Sequence, residues 1–490
     1  MSGTDATGGT GETGDATYDV IVLGAGPVGQ NVTDRARAGG LDVAVVEREL
    51  VGGECSYWAC VPSKALLRPV IALADARRVD GARQAATGRI DTERVFARRN
   101  HYVNDWDDSG QAEAVTSMGA DLFRGQGRID GPRRVTVTRD DGGRRTLTAR
   151  HAVVVATGSL PALPDLPGIQ ETRPWTNRHG TDSSTVPALL AIVGGGGVGV
   201  EMATLWQGLG SRVTLLSRRS LLPRMEPVAG ELLHRGLAEA GVEVRIGREV
   251  TALRRAHPHG PVTLTLDDGS ELEADEVMFA TGRTPATDDI GLETIGLTPG
   301  SWLSVDTTCL VRGIDGDWLY ACGDVNHRAL LTHQGKYQGR TAGDAIAARA
   351  AGHPLDDADW GDHATTADQH AVPQVFFTEP EAAAVGLTAE QASRAGHRVR
   401  TVDVPFNAAQ GANLYADGYR GHARLVVDED REVLLGATFV GPGVGELLHS
   451  ATVAVAGEVP LKRLRHAVAC FPTVSEIWLF LLAAYRREHG

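Results

Sequence analysis

Twice along this chain a short, strand-like apolar run is followed by a glycine-rich turn. The first run, residues 18–23, leads into Gly24-Ala25-Gly26-Pro27-Val28-Gly29, then a predicted helix, then a second strand at 43–46 that ends on Glu47. Strand, turn, helix, strand and acid in that order form a βαβ dinucleotide fingerprint. Gly24, Gly26 and Gly29 allow a tight turn and let a pyrophosphate approach the outward-pointing N–H groups of the helix N-terminus. Glu47 is placed to accept hydrogen bonds from both ribose hydroxyls.

The pattern then repeats. Residues 191–193 run into Gly194-Gly195-Gly196-Gly197-Val198-Gly199, a helix, and a strand at 213–216. The same interval separates Gly24 from Glu47 and Gly194 from Ser217, so Ser217 stands where the first unit places its acid. A carboxylate there would repel a 2′-phosphate, whereas Arg218, Arg219 and Arg224 can hold one. Charge-assisted hydrogen bonds are worth about 1.5–3 kcal/mol each, so two shift cofactor preference more than tenfold. The second site is therefore read as an NADPH site. Two dinucleotide sites imply electron transfer between two cofactors, one a tightly held flavin and the other a nicotinamide that comes and goes.

Charge and composition narrow the rest. The chain has 490 residues, enough for three or four domains, and a formal net charge of −14, which argues against nonspecific nucleic-acid binding. No apolar run is long enough for a membrane span, and the longest near the end, residues 477–484, fits a buried helix. Residues 1–16, rich in Gly, Thr and Asp, lack the regions of a signal peptide, so they are expected to be a disordered tail and the protein cytoplasmic. Only three lysines occur, Lys64, Lys336 and Lys462, which singles out any lysine inside a motif. Five cysteines make no disulfide framework, but Cys55 and Cys60 stand close together, a spacing suited to metal or redox chemistry. A zinc site usually has two residues between its cysteines and needs further ligands, so no metal centre is predicted. Four intervening residues permit a disulfide at the start of a helix, where the N-terminus lowers a thiol pKa.

The segment Gly52-Gly53-Glu54-Cys55-Ser56-Tyr57-Trp58-Ala59-Cys60-Val61-Pro62-Ser63-Lys64 resembles that of the class I pyridine nucleotide-disulfide oxidoreductases, the family of glutathione reductase, lipoamide dehydrogenase and mercuric reductase. The resemblance covers nearly all of residues 18–487. It includes the Ala-Thr-Gly loops at Ala156-Thr157-Gly158 and Ala280-Thr281-Gly282-Arg283, and the second flavin motif Tyr320-Ala321-Cys322-Gly323-Asp324-Val325. It also includes Gly125-Gln126-Gly127, where the family contacts the adenine, and the stretch 372–392 that opens the family's C-terminal domain.

The resemblance implies an α/β fold with two Rossmann-like dinucleotide-binding domains and a C-terminal α+β dimerisation domain. Its expected layout is a tail at 1–17, an FAD domain in two parts at 18–168 and 290–360, an NADPH domain at 169–289 and a dimerisation domain at 361–490. It implies FAD and NADPH as cofactors, Asp324 on the ribityl chain, and Lys64 paired with Glu201 near flavin N5. It places Gly197 where many relatives carry a tyrosine or valine that gates the nicotinamide pocket. Cys60 would be the flavin-side thiol and Cys55 the one that attacks a small acceptor, in a homodimer whose active site is shared between subunits.

One position departs from the pattern. The family's C-terminal segment reads His-Pro-Thr, two residues, Glu, with the histidine as acid/base; this chain reads Phe471-Pro472-Thr473-Val474-Ser475-Glu476. Phenylalanine cannot shuttle a proton, and such catalysis is typically worth about 10²–10⁴-fold. Two functions are therefore weighed. In the first, an FAD-dependent NADPH:acceptor oxidoreductase cycles its cysteine pair between disulfide and dithiol. In the second, the pair is structural and the flavin reduces a quinone or conjugated alkene directly. Tyr57 and Trp58, between the cysteines, shape an acceptor site or pack beneath it.

Overall fold

The computed structural model describes residues 15–258 and 260–487. The tail expected at residues 1–17 lies outside them, except for its last residues. Of these, Ala16 and Thr17 join the first strand, Ala16–Leu23, which begins two residues earlier than the apolar run because Ala16 and Thr17 pair with Leu147 and Thr148.

The chain divides into two compact units. The first combines Met1–Gly53, Asp107–Ser159 and Pro285–Thr365. Its sheet has Ala16–Leu23 at the centre, between parallel partners Val43–Glu47 and Arg144–Val155. Asp121–Arg124 and Leu319–Ala321 extend the parallel set, and Arg134–Thr138 and Gln126–Ile129 add antiparallel strands. Strands buried on both faces must be apolar at successive positions, and this explains the unbroken Val20-Ile21-Val22-Leu23 run. Val20 and Val22 face one core with Val43, Val45 and Val154. Ile21 and Leu23 face another with Val46, Val153 and Val155.

Helix Pro27–Ala38 packs against helix Thr332–Ala350. The close approach is set by Gly335, Gly339 and Gly343, one per turn, where an added Cβ would sit 2.6, 2.8 and 2.6 Å from Val28 Cγ2, Val28 O and Arg35 Cβ.

The second unit combines Glu54–Trp106, Leu160–Thr284 and Thr366–Gly490. Its parallel sheet runs Glu243–Ile246, Arg212–Ser217, Leu189–Val193, Glu276–Phe279. An antiparallel trio, Val250–Arg255, Val262–Leu266 and Glu271–Ala274, follows in sequence. The C-terminal part is a five-stranded antiparallel sheet, Pro373–Phe376, Ala382–Gly386, Val433–Val440, His422–Asp428 and Val399–Pro405 in spatial order, backed by helices Val444–Ala456 and Ile477–Arg487. The last helix realises the buried apolar stretch expected at 477–484, with Ile477, Trp478, Leu481 and Tyr485 inward. The fold class is thus α/β with two Rossmann-like dinucleotide folds and a C-terminal α+β part, as the sequence indicated. No helix among the described residues is long and apolar enough to cross a membrane.

Candidate active site

The first glycine turn follows the strand Ala16–Leu23. Gly24 has φ +103°, and a Cβ there would lie 2.5 Å from Ala156 O. A Cβ on Gly29 would lie 1.9 Å from Gly24 O, so neither position admits a side chain. Gly26 caps helix Pro27–Ala38 with no side-chain hydrogen bond and no acid in the first turn, leaving its N–H groups for an anion. Glu47 is buried, and each carboxylate oxygen accepts one backbone N–H, from Ala25 at 2.8 Å and Glu49 at 2.8 Å. A carboxylate has about four acceptor sites, so two remain for ribose hydroxyls. Gly53, at φ +60°, brings its Cβ direction to within 3.0 Å of Gly26 Cα.

Nearby, Thr157 Oγ1 is buried without a hydrogen-bond partner, Gly158 has open space around it, and Ser159 donates to Asp324. An orphaned hydroxyl, uncapped helix N–H groups and half-used Glu47 oxygens all fit a bound dinucleotide, and FAD fits this turn. Gly127 is explained differently: a Cβ there would meet Leu23 and Val46 at 2.8 and 2.9 Å, so its size serves packing, and any ligand contact falls to its backbone.

The second turn repeats the geometry. Gly194 has φ +126° with its Cβ direction 2.3 Å from Ala280 O, and a Cβ on Gly199 would be 1.8 Å from Gly194 O. Gly196 caps helix Gly197–Leu209, again with no side-chain cap and no acid in the first turn. Ser217 is buried behind Gly195, whose Cβ would lie 2.3 Å from Ser217 Oγ. Arg218, Arg219 and Arg224 are exposed, and Arg218 has a carboxylate nearby, Glu249 at 3.8 Å. The turn fits a nicotinamide dinucleotide. The Gly282 carbonyl accepts from Ala162 N at 2.9 Å, which fixes the Ala-Thr-Gly-Arg loop.

The cysteine segment differs from the expected single helix start. Cys55 lies in a short helix, Gly53–Tyr57, and Cys60 opens a separate helix, Cys60–Arg77. The break has a local cause: a continuous helix would need the Pro62 N–H for the Trp58 carbonyl, and proline has none. Two side chains replace it, Asn177 Nδ2 at 3.0 Å and Thr181 Oγ1 at 3.1 Å. Asn177 also donates to Glu54 at 2.8 Å, and Arg178 grips the other Glu54 oxygen at 2.8 and 3.0 Å while its guanidinium lies 4.0 Å from the Trp58 ring centre. Arg99, fully buried, in turn donates to the Thr181 and Ser183 carbonyls at the end of helix Asn177–Asp182. Sequence reasoning missed this clamp, whose one local signal was the proline four residues after Trp58.

Lys64 falls one helical turn after Cys60, on the same helix. Its ammonium meets Glu201 at 2.7 Å and lies 5.1 Å from the centre of the Phe377 ring. Glu201 is 6% exposed and its second oxygen accepts the Phe377 N–H at 3.0 Å. Glu476 is buried and turned inward, where it accepts the Gly411 N–H at 2.9 Å; it holds its loop against helix Gln410–Tyr415. Phe471 is 74% exposed. Among the described residues no group of three or more His, Cys, Asp or Glu is arranged to hold a metal ion.

Two dinucleotide turns and a cysteine pair on one chain define a flavin- and nicotinamide-dependent redox enzyme. The chain belongs to the pyridine nucleotide-disulphide oxidoreductases: the family model of that description matches residues 18–347, and the model of its dimerisation domain matches residues 372–479. It is 31% identical to the dihydrolipoyl dehydrogenase of Thermus scotoductus over 94% of this chain and 95% of that protein. It is 29% identical to the mercuric reductase of Staphylococcus aureus over 94% of this chain and 81% of that protein. The HOCl-induced flavoprotein disulfide reductase RclA from Escherichia coli shares the fold at TM-score 0.79 and 24% identity, covering 95% of this chain and 99% of that one. The protein is therefore an FAD-dependent NAD(P)H oxidoreductase, and the dimerisation domain supports a homodimer.

Proposed function

We propose that this enzyme takes electrons from NADPH and delivers them, by way of FAD and the Cys55–Cys60 pair, to a small-molecule acceptor. The observation that carries the reading is a single chain of contacts. Cys60 and Lys64 lie one turn apart on one helix, Gly197 and Glu201 one turn apart on another, and Lys64 and Glu201 join the two at 2.7 Å. The thiol and the nucleotide-binding turn are thereby held in register.

Bound at the first turn, the flavin supplies two-electron exchange between nicotinamide and thiols. The protein's own residues do the rest. Glu47 orients the ribose, the uncapped helix N-termini balance the pyrophosphates, and Asp324 receives the ribityl chain. Lys64, fixed by Glu201, presents a cation where negative charge develops. The Asn177–Thr181–Arg178 clamp keeps Trp58 and the two cysteine-bearing helices in one arrangement. Arg218, Arg219 and Arg224 favour NADPH over NADH, and the domain layout follows the family's, with the FAD domain at 18–168 and 290–360, the NADPH domain at 169–289 and the dimerisation domain at 361–490.

Phe471 favours a second reading. It stands at the family's histidine position and is exposed, so no acid/base is offered there and the acceptor is one that needs none, or a quinone or conjugated alkene reduced by the flavin directly. Anaerobic NADPH titration of wild type and Cys60→Ser separates the two. A long-wavelength thiolate band at two electrons in wild type, missing in the variant, supports the cysteine relay; identical direct bleaching in both refutes it.

A further inference from the structure

Between residues 60 and 103 the chain reverses its overall charge. Nine Lys and Arg stand there against four Asp and Glu, in a protein whose formal net charge is −14. Two helices of this stretch, Cys60–Arg77 and Thr92–Tyr102, pack against each other, and internal hydrogen bonds hold the loop between them. Arg77 Nε donates to the Ala86 carbonyl at 2.9 Å and Nη2 to the Gly88 carbonyl at 2.7 Å, while Arg83 Nε donates to the Arg77 carbonyl at 2.9 Å. Loop and helices border an open groove of about 480 Å³, within the roughly 300–1,000 Å³ of small-molecule sites. Its floor is apolar, formed by Pro69 and Leu73, one turn apart on the first helix, with Ala86, Ile90 and Val95. Its rim is cationic: Arg89, Arg94 and Arg98 line it, and all three are exposed. Among the described residues the lining holds no Ser, Thr, Asn, Gln or aromatic side chain that would read a polar body.

The protein's own acids match these arginines poorly. Arg94 and Arg98 lie one turn apart on one helix face, where like charges repel. Arg94 reaches the Asp91 carboxylate only at 3.7 Å, with 88% and 60% of the two side chains in solvent. Asp91 also lines the groove, but its Oδ1 accepts the Arg94 N–H at 3.1 Å as the cap of helix Thr92–Tyr102. Arg98 leans on Tyr102, its guanidinium 4.7 Å from the ring centre. Three cations around an apolar floor suit a ligand with an anionic end and a hydrocarbon body. Carboxylate oxygens match the guanidinium fork, and Asp91 in the lining repels a monoanion less than a phosphate dianion. We infer that this groove binds a free fatty carboxylate. Its chain lies along Pro69, Leu73, Ile90 and Val95, and its head is held by Arg94 and Arg98 with Arg89 beside them. The inference needs none of the readings of the cysteine pair or the nucleotide turns.

The test is equilibrium dialysis of the FAD-loaded full chain against decanoate and decanol, each below its aggregation threshold. Wild type is expected to bind decanoate saturably and about tenfold or more tightly than decanol, since only the acid makes charge-assisted bonds to the rim. The double variant Arg94→Gln/Arg98→Gln should weaken decanoate about tenfold or more and leave decanol within about twofold, a loss of discrimination that a general folding defect would not give. Ala86→Phe, which fills the groove, should weaken both ligands at least fivefold. Arg144→Gln, at an exposed arginine opening the strand Arg144–Val155, should change neither. Absence of saturable decanoate binding to wild type overturns the inference, as does a double variant that binds decanoate within twofold of wild type. Binding to phosphatidylglycerol vesicles without binding of monomeric decanoate overturns it too, because the cationic rim would then be a membrane contact. If Ala86→Phe fails to fold, the exchanges at the exposed Arg94 and Arg98 still decide.

Discussion

Glu201 is the joint of the contact chain, and its removal has a calculable cost. Glu201→Ala deletes the partner of the Lys64 ammonium at 2.7 Å and of the Phe377 N–H at 3.0 Å, both made by a side chain that is 8% exposed. A hydrogen bond to a charged group nets about 1.5–3 kcal/mol, and an orphaned buried N–H costs about 1–3 kcal/mol. Lys64 keeps 37% of its side chain in solvent, which returns part of the first quantity. The sum is about 3 kcal/mol for Glu201→Ala. Glu201→Gln keeps an acceptor for Phe377 and loses only the charge, about 1–2 kcal/mol. Trp206, buried on the same helix and 5.5 Å from Trp175 between ring centres, reports the unfolding of this region by fluorescence in urea. The expected order of stability is wild type, Glu201→Gln, Glu201→Ala. Stopped-flow flavin reduction by NADPH should slow at least tenfold in the alanine variant. A Glu201→Ala protein within about 0.5 kcal/mol of wild type (roughly a twofold change in equilibrium), reduced at the wild-type rate, would refute the reasoning.

Three further outcomes are expected. Replacing Arg218, Arg219 and Arg224 together by alanine should raise KM for NADPH at least tenfold and leave KM for NADH within twofold, measured by steady-state kinetics. Asn177→Ala combined with Thr181→Val strands the Trp58 carbonyl, and should shift the reduction potential of the cysteine pair in a thiol-disulfide equilibrium against glutathione, whereas substitutions at the exposed Leu414 should not. Burial holds the Glu381 carboxyl above its ordinary pKa of 4.5, against the opposing Gly445 N–H bond. The folded state therefore binds the proton more tightly than the unfolded one. Stability from this group is present below the unfolded pKa and is lost as pH rises through the folded value; Glu381→Gln should abolish that slope in urea unfolding measured across the acid range.

What the sequence revealed about this fold follows from the range of the interactions involved. The two glycine turns, Glu47 and Ser217 are local features: strand, turn, helix and second strand end fall within about thirty residues, and Gly24 and Gly194 themselves crowd Gly29 and Gly199, so the pattern is visible in one dimension. The Ala156 and Ala280 carbonyls that crowd Gly24 and Gly194, by contrast, lie far along the chain. The Lys64–Glu201 pair joins distant segments and was legible only through resemblance to relatives. The clamp on Trp58 was not legible, because Asn177, Arg178 and Thr181 carry no local mark of their distant partner. One detail is readable locally: Pro62 withholds the N–H that a continuous helix through Trp58 needs. The strand at residues 16 and 17 is not, because its register is set by the distant Leu147 and Thr148.

The most direct test of the cysteine relay is differential alkylation. The FAD-loaded enzyme is treated anaerobically with iodoacetamide, with and without stoichiometric NADPH, and the peptide carrying Cys55 and Cys60 is weighed by mass spectrometry. Two labels appearing on that peptide only after NADPH, and lost again when an acceptor reoxidises the enzyme, are the predicted result. A peptide labelled to the same extent with and without NADPH would contradict the relay and leave the flavin itself as the reductant of the acceptor.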